Sequence, residues 1–301
     1  MEQAWLHING GQAPVFKTIR ERSQRRIRGQ LMNEKSEIQS ITTDLGSSLH
    51  WNNSSNVLCN YMKKQEYLDQ ILLNAAIIPR YVMEPLDYLN LKDVRKICFP
   101  MTCFCDIPFS KVSTHMFHYG EYGIGLDKQT VLNRYRVQPI HYINGNSPLA
   151  DDFREAFQAS LCSDFPDEAS KLSDFLTSSL MYMKPISGLV DNKDGGKDAY
   201  VYQDECEWRY VPSDNFPGSL HLILKQKETT ITAQKMYSDV LRNHEECWLK
   251  FEWKDVRYII VPNEAAVKNT IATIRALEMS EPDKDVMISK IEISKHFSDN
   301  M

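Results

Sequence analysis

The segment DECEWRYVP, Asp204 to Pro212, places two glutamates two positions apart, with an arginine two further on. On a strand the side chains alternate, so Glu205, Glu207 and Arg209 share one face while Cys206, Trp208 and Tyr210 share the other. If the charged face is wet, it is a ladder of ion pairs worth about a few tenths of a kcal/mol each. If it lines a cleft, two carboxylates and a guanidinium converge. Neighbouring charge then separates the carboxylate pKa values, so that one can stabilise developing positive charge while the other orients or deprotonates an acceptor.

A second two-faced segment is PMTCFCDIPFS, with Met101, Cys103, Cys105 and Ile107 against Thr102, Phe104 and Asp106. The Phe104 ring and Thr102 hydroxyl suit a flat heterocycle; a packed aromatic beside a turn at Asp106-Ile107-Pro108 is the competing explanation. His115 and His118, three apart, share a face on a helix, and Tyr119 and Tyr122 add hydroxyls. The pair suits proton transfer or a phosphate contact, or a structural place at a helix end. Cys98, Cys103 and Cys105 with these histidines are ligand types that zinc prefers, but Cys103 and Cys105 sit on the core side of a strand, so no metal is expected. Gly123 and Gly125 lack the third glycine of a dinucleotide loop, and there is no P-loop.

The elements that must position these groups follow from periodicity. Val57 to Met62 is a strand, and Tyr67, Leu68, Ile71 and Leu72 recur at helical spacing. Pro79 keeps AAIIPRYV extended, and FPMTCFCDIP, YGIGL and PIHYI are further strands. Residues 151 to 183 carry two helical faces, Phe153, Ala156, Phe157 and Leu161, then Leu172, Phe175, Leu176, Leu180 and Met183, both expected in the core. VDNKDGGKDA is a loop ahead of the YVYQDECEWRYVP strand. Met236 to Leu249 is expected as a helix, Val256 to Val261 as a central strand, and Val267, Ile271, Ile274 and Leu277 as another helix, before a last strand ending at Ile293. Alternating strands and helices predict an α+β class with mixed, mainly antiparallel sheets and packed helices.

A 42% hydrophobic and 25% charged composition is that of a folded globular protein. Apolar runs such as Tyr258 to Pro262 fall far short of the ~20 residues that cross a bilayer, and no signal-peptide core is present, so a cytoplasmic location and no membrane partner are expected. The seven cysteines form an odd set without CxxC pairs, consistent with reduced thiols. Net charge is -5, yet Lys17 to Lys35 holds seven basic residues against two acidic ones, a local +5. Residues 1–56 therefore form a basic arm and linker, and 57–301 the α+β body. Arg22, Arg25, Arg26 and Arg28 could neutralise phosphates or dock an acidic partner, or form a solvated helix.

Together CFCDIPFSKVSTHMFHYGEYGIGLDKQ, PIHYI, ECEWRYVP and DVRYIIVP resemble the AbiGi family across roughly residues 57 to 262. That resemblance implies an antitoxin component of an abortive-infection system, with a toxin, antitoxin or chaperone as partner. The order of strand, helix EYLDQILLNA, middle strand and Glu-x-Glu strand is also similar to the ADP-ribosyltransferases, with a distant echo of the DarT type in FPMTCFCDIPFS. This second resemblance implies a fold of that kind with an NAD cleft in the body. It makes Glu207 catalytic at the nicotinamide ribose, with Glu205 as its companion toward the acceptor. It further implies Tyr61, Phe104 and Tyr122 stacking on NAD, Thr102 hydrogen-bonding, Arg80 or Arg209 meeting the pyrophosphate, and RNA or DNA as acceptor ahead of protein. A carboxylate fixed beside the ribose would stabilise its oxocarbenium-like transition state. The sequence departs from that superfamily in offering Asn60 and Tyr61 where His or Arg is usual, and Thr102 where Ser is common. The function expected first is therefore a phage-defence, toxin-like ADP-ribosyltransferase that consumes NAD and modifies a macromolecule, with a non-catalytic antitoxin or regulator as the alternative and a magnesium nuclease built on Asp106, Glu205 and Glu207 third.

Overall fold

The computed structural model describes residues 54–161, 166–191, 195–212, 216–224 and 229–298. The basic arm, with Arg22, Arg25, Arg26 and Arg28, lies outside the described residues.

The chain begins with β1 (Val57–Met62), α1 (Gln65–Asn74), β2 (Ala76–Ile77), β3 (Arg80–Pro85) and β4 (Lys96–Cys105). It continues through α2 (Ser113–Tyr119), β5 (Tyr122–Asp127), α3 (Lys128–Arg134), β6 (Val137–Pro139), β7 (His141–Ile143), α4 (Pro148–Leu161) and α5 (Pro166–Leu180). Then follow β8 (Met183–Pro185), β9 (Ser187–Asp191), β10 (Lys197–Val201), β11 (Glu207–Tyr210), α6 (Ile231–Leu241), β12 (Leu249–Lys250) and β13 (Val256–Val261). The last elements are α7 (Glu264–Arg275), α8 (Glu281–Ile288), β14 (Ile291–Ile293) and α9 (Lys295–Ser298).

Eight strands form the main sheet, in the order β14-β13-β5-β1-β4-β11-β6, with β3 added to β4. Its ladders are antiparallel apart from the parallel β13–β14 pair. The class is therefore α+β with a mainly antiparallel sheet. Register decides what each face carries. Cys105 lies opposite both Cys59 and Glu207, so Cys59, Tyr61, Cys103, Cys105, Glu207 and Arg209 share one face. The opposite face presents Leu58, Met62, Phe104, Ile124 and Leu126, which pack with Leu68, Ile71 and Leu72 of α1 and with Ala266 and Ile274 of α7. On the first face Met116 of α2 packs on Cys59 and Cys105, and Phe157, Leu176 and Leu180 of α4 and α5 cover Phe99 and Met101. Both faces of these strands are thus covered, which is why their sequences are apolar at successive positions.

Local signals set the ends. Asn263 caps α7 by accepting from the Ala266 amide at 3.0 Å, and α1 stops at Ala75, whose φ of 45° is left-handed. Asp106, just past β4, accepts from the Ser55 amide at 3.0 Å and from Lys128 Nζ at 2.5 Å, fixing the start of β1 to the end of β4. Both members of that ion pair are buried.

Four expectations change. VDNKDGGKDA is not a loop before one long strand: β9 and β10 pair as a hairpin, and a 3-10 turn at Tyr202–Glu205 separates β10 from β11. Met236 to Leu249 is not one helix, because α6 ends at Leu241 and Leu249 enters β12 to pair with β2. Val256 to Val261 is a strand but lies next to the edge strand β14. Finally, Leu161, Leu172 and Phe175 are 62%, 42% and 67% exposed, so only part of each apolar stripe on α4 and α5 reaches the core. Among the described residues no helix is long and apolar enough to cross a membrane.

Candidate functional site

One edge of β4 changes partner along its length. Residues 96 to 101 pair with β3, and Cys105 pairs with β1. The ladder to β3 ends at Arg80 because Pro79 has no N–H to donate and turns the chain away. Between the two ladders the Asn60 side chain bridges the gap, its Nδ2 donating to the Cys103 carbonyl at 2.8 Å. A cavity of about 340 Å³ occupies the place where β1 and β3 diverge.

This split explains how residues on opposite faces of the sheet reach one site. Tyr61, Arg80, Thr102, Phe104, His115, Glu205 and Glu207 all line the cavity. Three other candidates do not. Tyr122 packs against the core cluster below the sheet, and Arg209 lies wholly buried beneath Glu207, so it cannot meet a pyrophosphate. His118 leaves the site for the rings of Tyr200 and Phe117, at centroid distances of 4.9 and 5.2 Å. A spacing of three put the two histidines on one short helix, but only His115 turns to the cavity, stacked on Tyr119 at 4.4 Å.

Glu205 reaches the site by a different route from Glu207. It ends the 3-10 turn, and Cys206 then adopts a φ of 44°, breaking the alternation expected of one continuous strand. Cys206 is consequently exposed. What unites the two carboxylates is Lys184 on β8, a residue that the sequence reading missed. Its Nζ donates to Glu205 Oε2 at 2.6 Å and to Glu207 Oε2 at 3.1 Å, and lies 4.7 Å from the Tyr202 ring centroid. The one available signal was a lone lysine inside the apolar run Met181 to Pro185.

Both glutamates have further partners. Arg209 Nε donates to Glu207 Oε1 at 2.6 Å, and its Nη2 donates to Glu207 Oε2 at 3.3 Å and to Glu84 Oε2 at 3.1 Å. Arg209 Nη1 donates to the Met181 carbonyl at 2.9 Å. Tyr119 donates its hydroxyl hydrogen to Glu205 Oε1 at 2.5 Å, and the Glu207 amide donates to the Tyr142 hydroxyl at 2.8 Å. Burial pushes the Glu207 carboxyl up, but Arg209 and Lys184 outweigh it and hold the group well below the usual carboxylate range. Burial likewise lowers Lys184, and the charges of Glu207, Glu84 and Glu205 reverse this and raise it. The five groups form an ion-pair network of three carboxylates and two cations.

The neighbouring cavity wall is the opposite case. The Thr102 hydroxyl and His115 Nδ1 are buried without a hydrogen-bond partner, and the Tyr61 hydroxyl lies near the Cys59 thiol without a hydrogen bond of good geometry to it. Burial lowers the His115 pKa to about 4, so the ring is neutral at pH 7. Burial also pushes the Cys103 and Cys105 thiols well up, which keeps them protonated. Among the described residues no three His, Cys, Asp or Glu side chains are grouped to hold a metal ion.

The AbiGi family, described as an abortive phage resistance protein, antitoxin, matches residues 75–262, which run from β2 to the end of β13. The abortive phage resistance protein AbiGi of Lactococcus lactis subsp. cremoris is 30% identical over 242 residues, covering 72% of this chain and 96% of the relative. No solved structure matches. The matched span contains β4, α2, β8 and β11, the elements that build the cavity wall and its ion-pair network, and the chain belongs to the AbiGi family of abortive phage resistance proteins.

Proposed function

We propose that this phage-defence protein is the non-catalytic antitoxin, or regulatory component, of an abortive-infection toxin–antitoxin system, and that it acts by binding a cognate toxin. The observation that carries this reading is the saturation of Glu207. Both of its oxygens accept hydrogen bonds from cations, and Glu205 is bonded at both oxygens as well. A carboxylate that stabilises an oxocarbenium-like ribose must face the sugar with negative charge to spare. Here both Glu207 oxygens are taken up by Arg209 and Lys184, so the Glu-x-Glu pair organises the fold around β8 and β11. Arg209, as a buried member of that network, has no surface with which to hold a dinucleotide. The description of the matching family as an antitoxin supports the same reading.

A second reading is an NAD-dependent ADP-ribosyltransferase acting on RNA or DNA. The observation that favours it is that Glu205, Glu207, Tyr61, Thr102, Phe104 and His115 share one cavity.

One experiment separates them. The full chain is expressed alone and together with each candidate toxin of an abortive-infection system, and the purified protein is incubated with labelled NAD and cellular RNA, DNA and protein. The antitoxin reading expects harmless expression, rescue from the toxin, co-purification with it and no transfer of label. Label transfer that disappears in Glu207→Gln would establish the enzyme and overturn the proposal.

A further inference from the structure

We infer that the cavity between β1, β3 and β4 is a binding site for a nucleoside monophosphate, its base held inside and its phosphate at the rim. The inference concerns the unpaired wall of the cavity and stands whether or not the chain neutralises a toxin.

The interior sets the first requirement. Thr102 is 4% exposed and its hydroxyl has no partner, and His115 Nδ1 is equally unpaired. An unpaired buried polar group is costly, and native structures leave few of them unexplained. Both residues line the same cavity, with Tyr61 beside them. A ligand that supplied hydrogen bonds to this wall would remove the penalty. The rings of Tyr61, Phe104 and Tyr119, which also line it, favour a flat partner.

Charge sets the second requirement. Glu84, Glu205 and Glu207 against Lys184 and Arg209 leave one negative charge in excess within the network. An anion is therefore repelled from the depth of the cavity, and a cation would have to displace Lys184 or Arg209 from bonds of 2.6 Å. The part of a ligand that goes inside is a neutral ring with a hydrogen-bonding edge.

The rim differs in sign. Among the lining residues, Arg80 and Arg242 are exposed cations, from the start of β3 and the residue after α6. Arg242 donates to Gln70 Oε1 at 3.2 Å and lies 3.7 Å from Asp239, both on an exposed surface where it can turn to a ligand. Guanidinium groups bind phosphate through paired N–H donors. A neutral base joined to a phosphate by a ribose meets both demands, and a 340 Å³ cavity lies at the small end of the range for ligand pockets.

The test is calorimetric titration of the full chain with AMP, GMP, CMP and UMP, each compared with its nucleoside and with inorganic phosphate. At least one nucleotide binds, its nucleoside binds about tenfold or more weakly, and phosphate alone shows no heat of binding. Thr102→Val weakens nucleotide and nucleoside alike. Arg80→Ala, on the exposed rim, lowers nucleotide affinity to that of the nucleoside; should Thr102→Val fail to fold, this variant decides alone. Absence of binding for all four nucleotides, or binding that Arg80→Ala leaves unchanged, would overturn the inference.

Discussion

Arg209 and Glu207 lie two positions apart on β11 and on the same face, with Nε and Oε1 separated by 2.6 Å and the arginine wholly buried. A guanidinium taken out of water is tolerated only while its donors are met, and here Glu207, Glu84 and the Met181 carbonyl meet them. Glu207→Ala removes the main acceptor and leaves Arg209 and Lys184 short of charge. The expected cost is about 3–5 kcal/mol of unfolding free energy, measured by urea denaturation. A loss under about 1 kcal/mol would show that the network contributes little.

Acid should act on this fold in two windows. Burial lowers His115 from 6.5 to about 4, so the unfolded chain takes up the proton first. The stability linked to His115 is complete above pH 6.5 and is withdrawn as pH falls toward 4. Glu207, also depressed, contributes above its ordinary value of 4.5 and loses that contribution as pH falls further. Melting temperature measured against pH should therefore decline in wild type from 6.5 downward. His115→Gln should flatten the upper window and leave the lower one in place.

Thr102→Val should stabilise the protein without ligand. The hydroxyl has no partner at 4% exposure, and a methyl of similar shape in its place removes an unmet polar group. The expected gain is about 1 kcal/mol, read as a higher denaturation midpoint at unchanged slope. A destabilised Thr102→Val would mean that the hydroxyl is satisfied in solution.

Gly120 ends α2 at a φ of 115°, and a Cβ there would come within 2.1 Å of the Met62 carbonyl oxygen. Gly120→Ala should cost about 1–3 kcal/mol from backbone strain alone, with the clash added. Because α2 carries His115 and Tyr119, the same substitution should shift the aromatic signals of both in NMR spectra.

Much of the fold was legible in residue patterns. The strand at Val57–Met62 is printed as a run of residues suited to burial on both faces, and α1, α7 and β14 follow from 3.6-residue spacing or short apolar runs. The longest errors came where helix and strand periods compete over few residues, as at Leu249, or where one residue breaks a period, as Cys206 does with its positive φ. Neither event leaves a mark on the pattern of apolar positions.

The sequence by itself determined the class of fold, the facing of Glu207 and Arg209 together, and the residue types available for chemistry, because these depend on local period and side-chain type. Tertiary structure alone decided that Lys184, distant along the chain, lies between the two glutamates and donates to both. It also decided that Arg209 is sealed in, while Thr102 and His115 keep unmet polar atoms beside an open cavity. The physical reason is that burial and ion pairing depend on what the chain brings back from far away, and β4 passing from β3 to β1 is an event of strand pairing that no local spacing records.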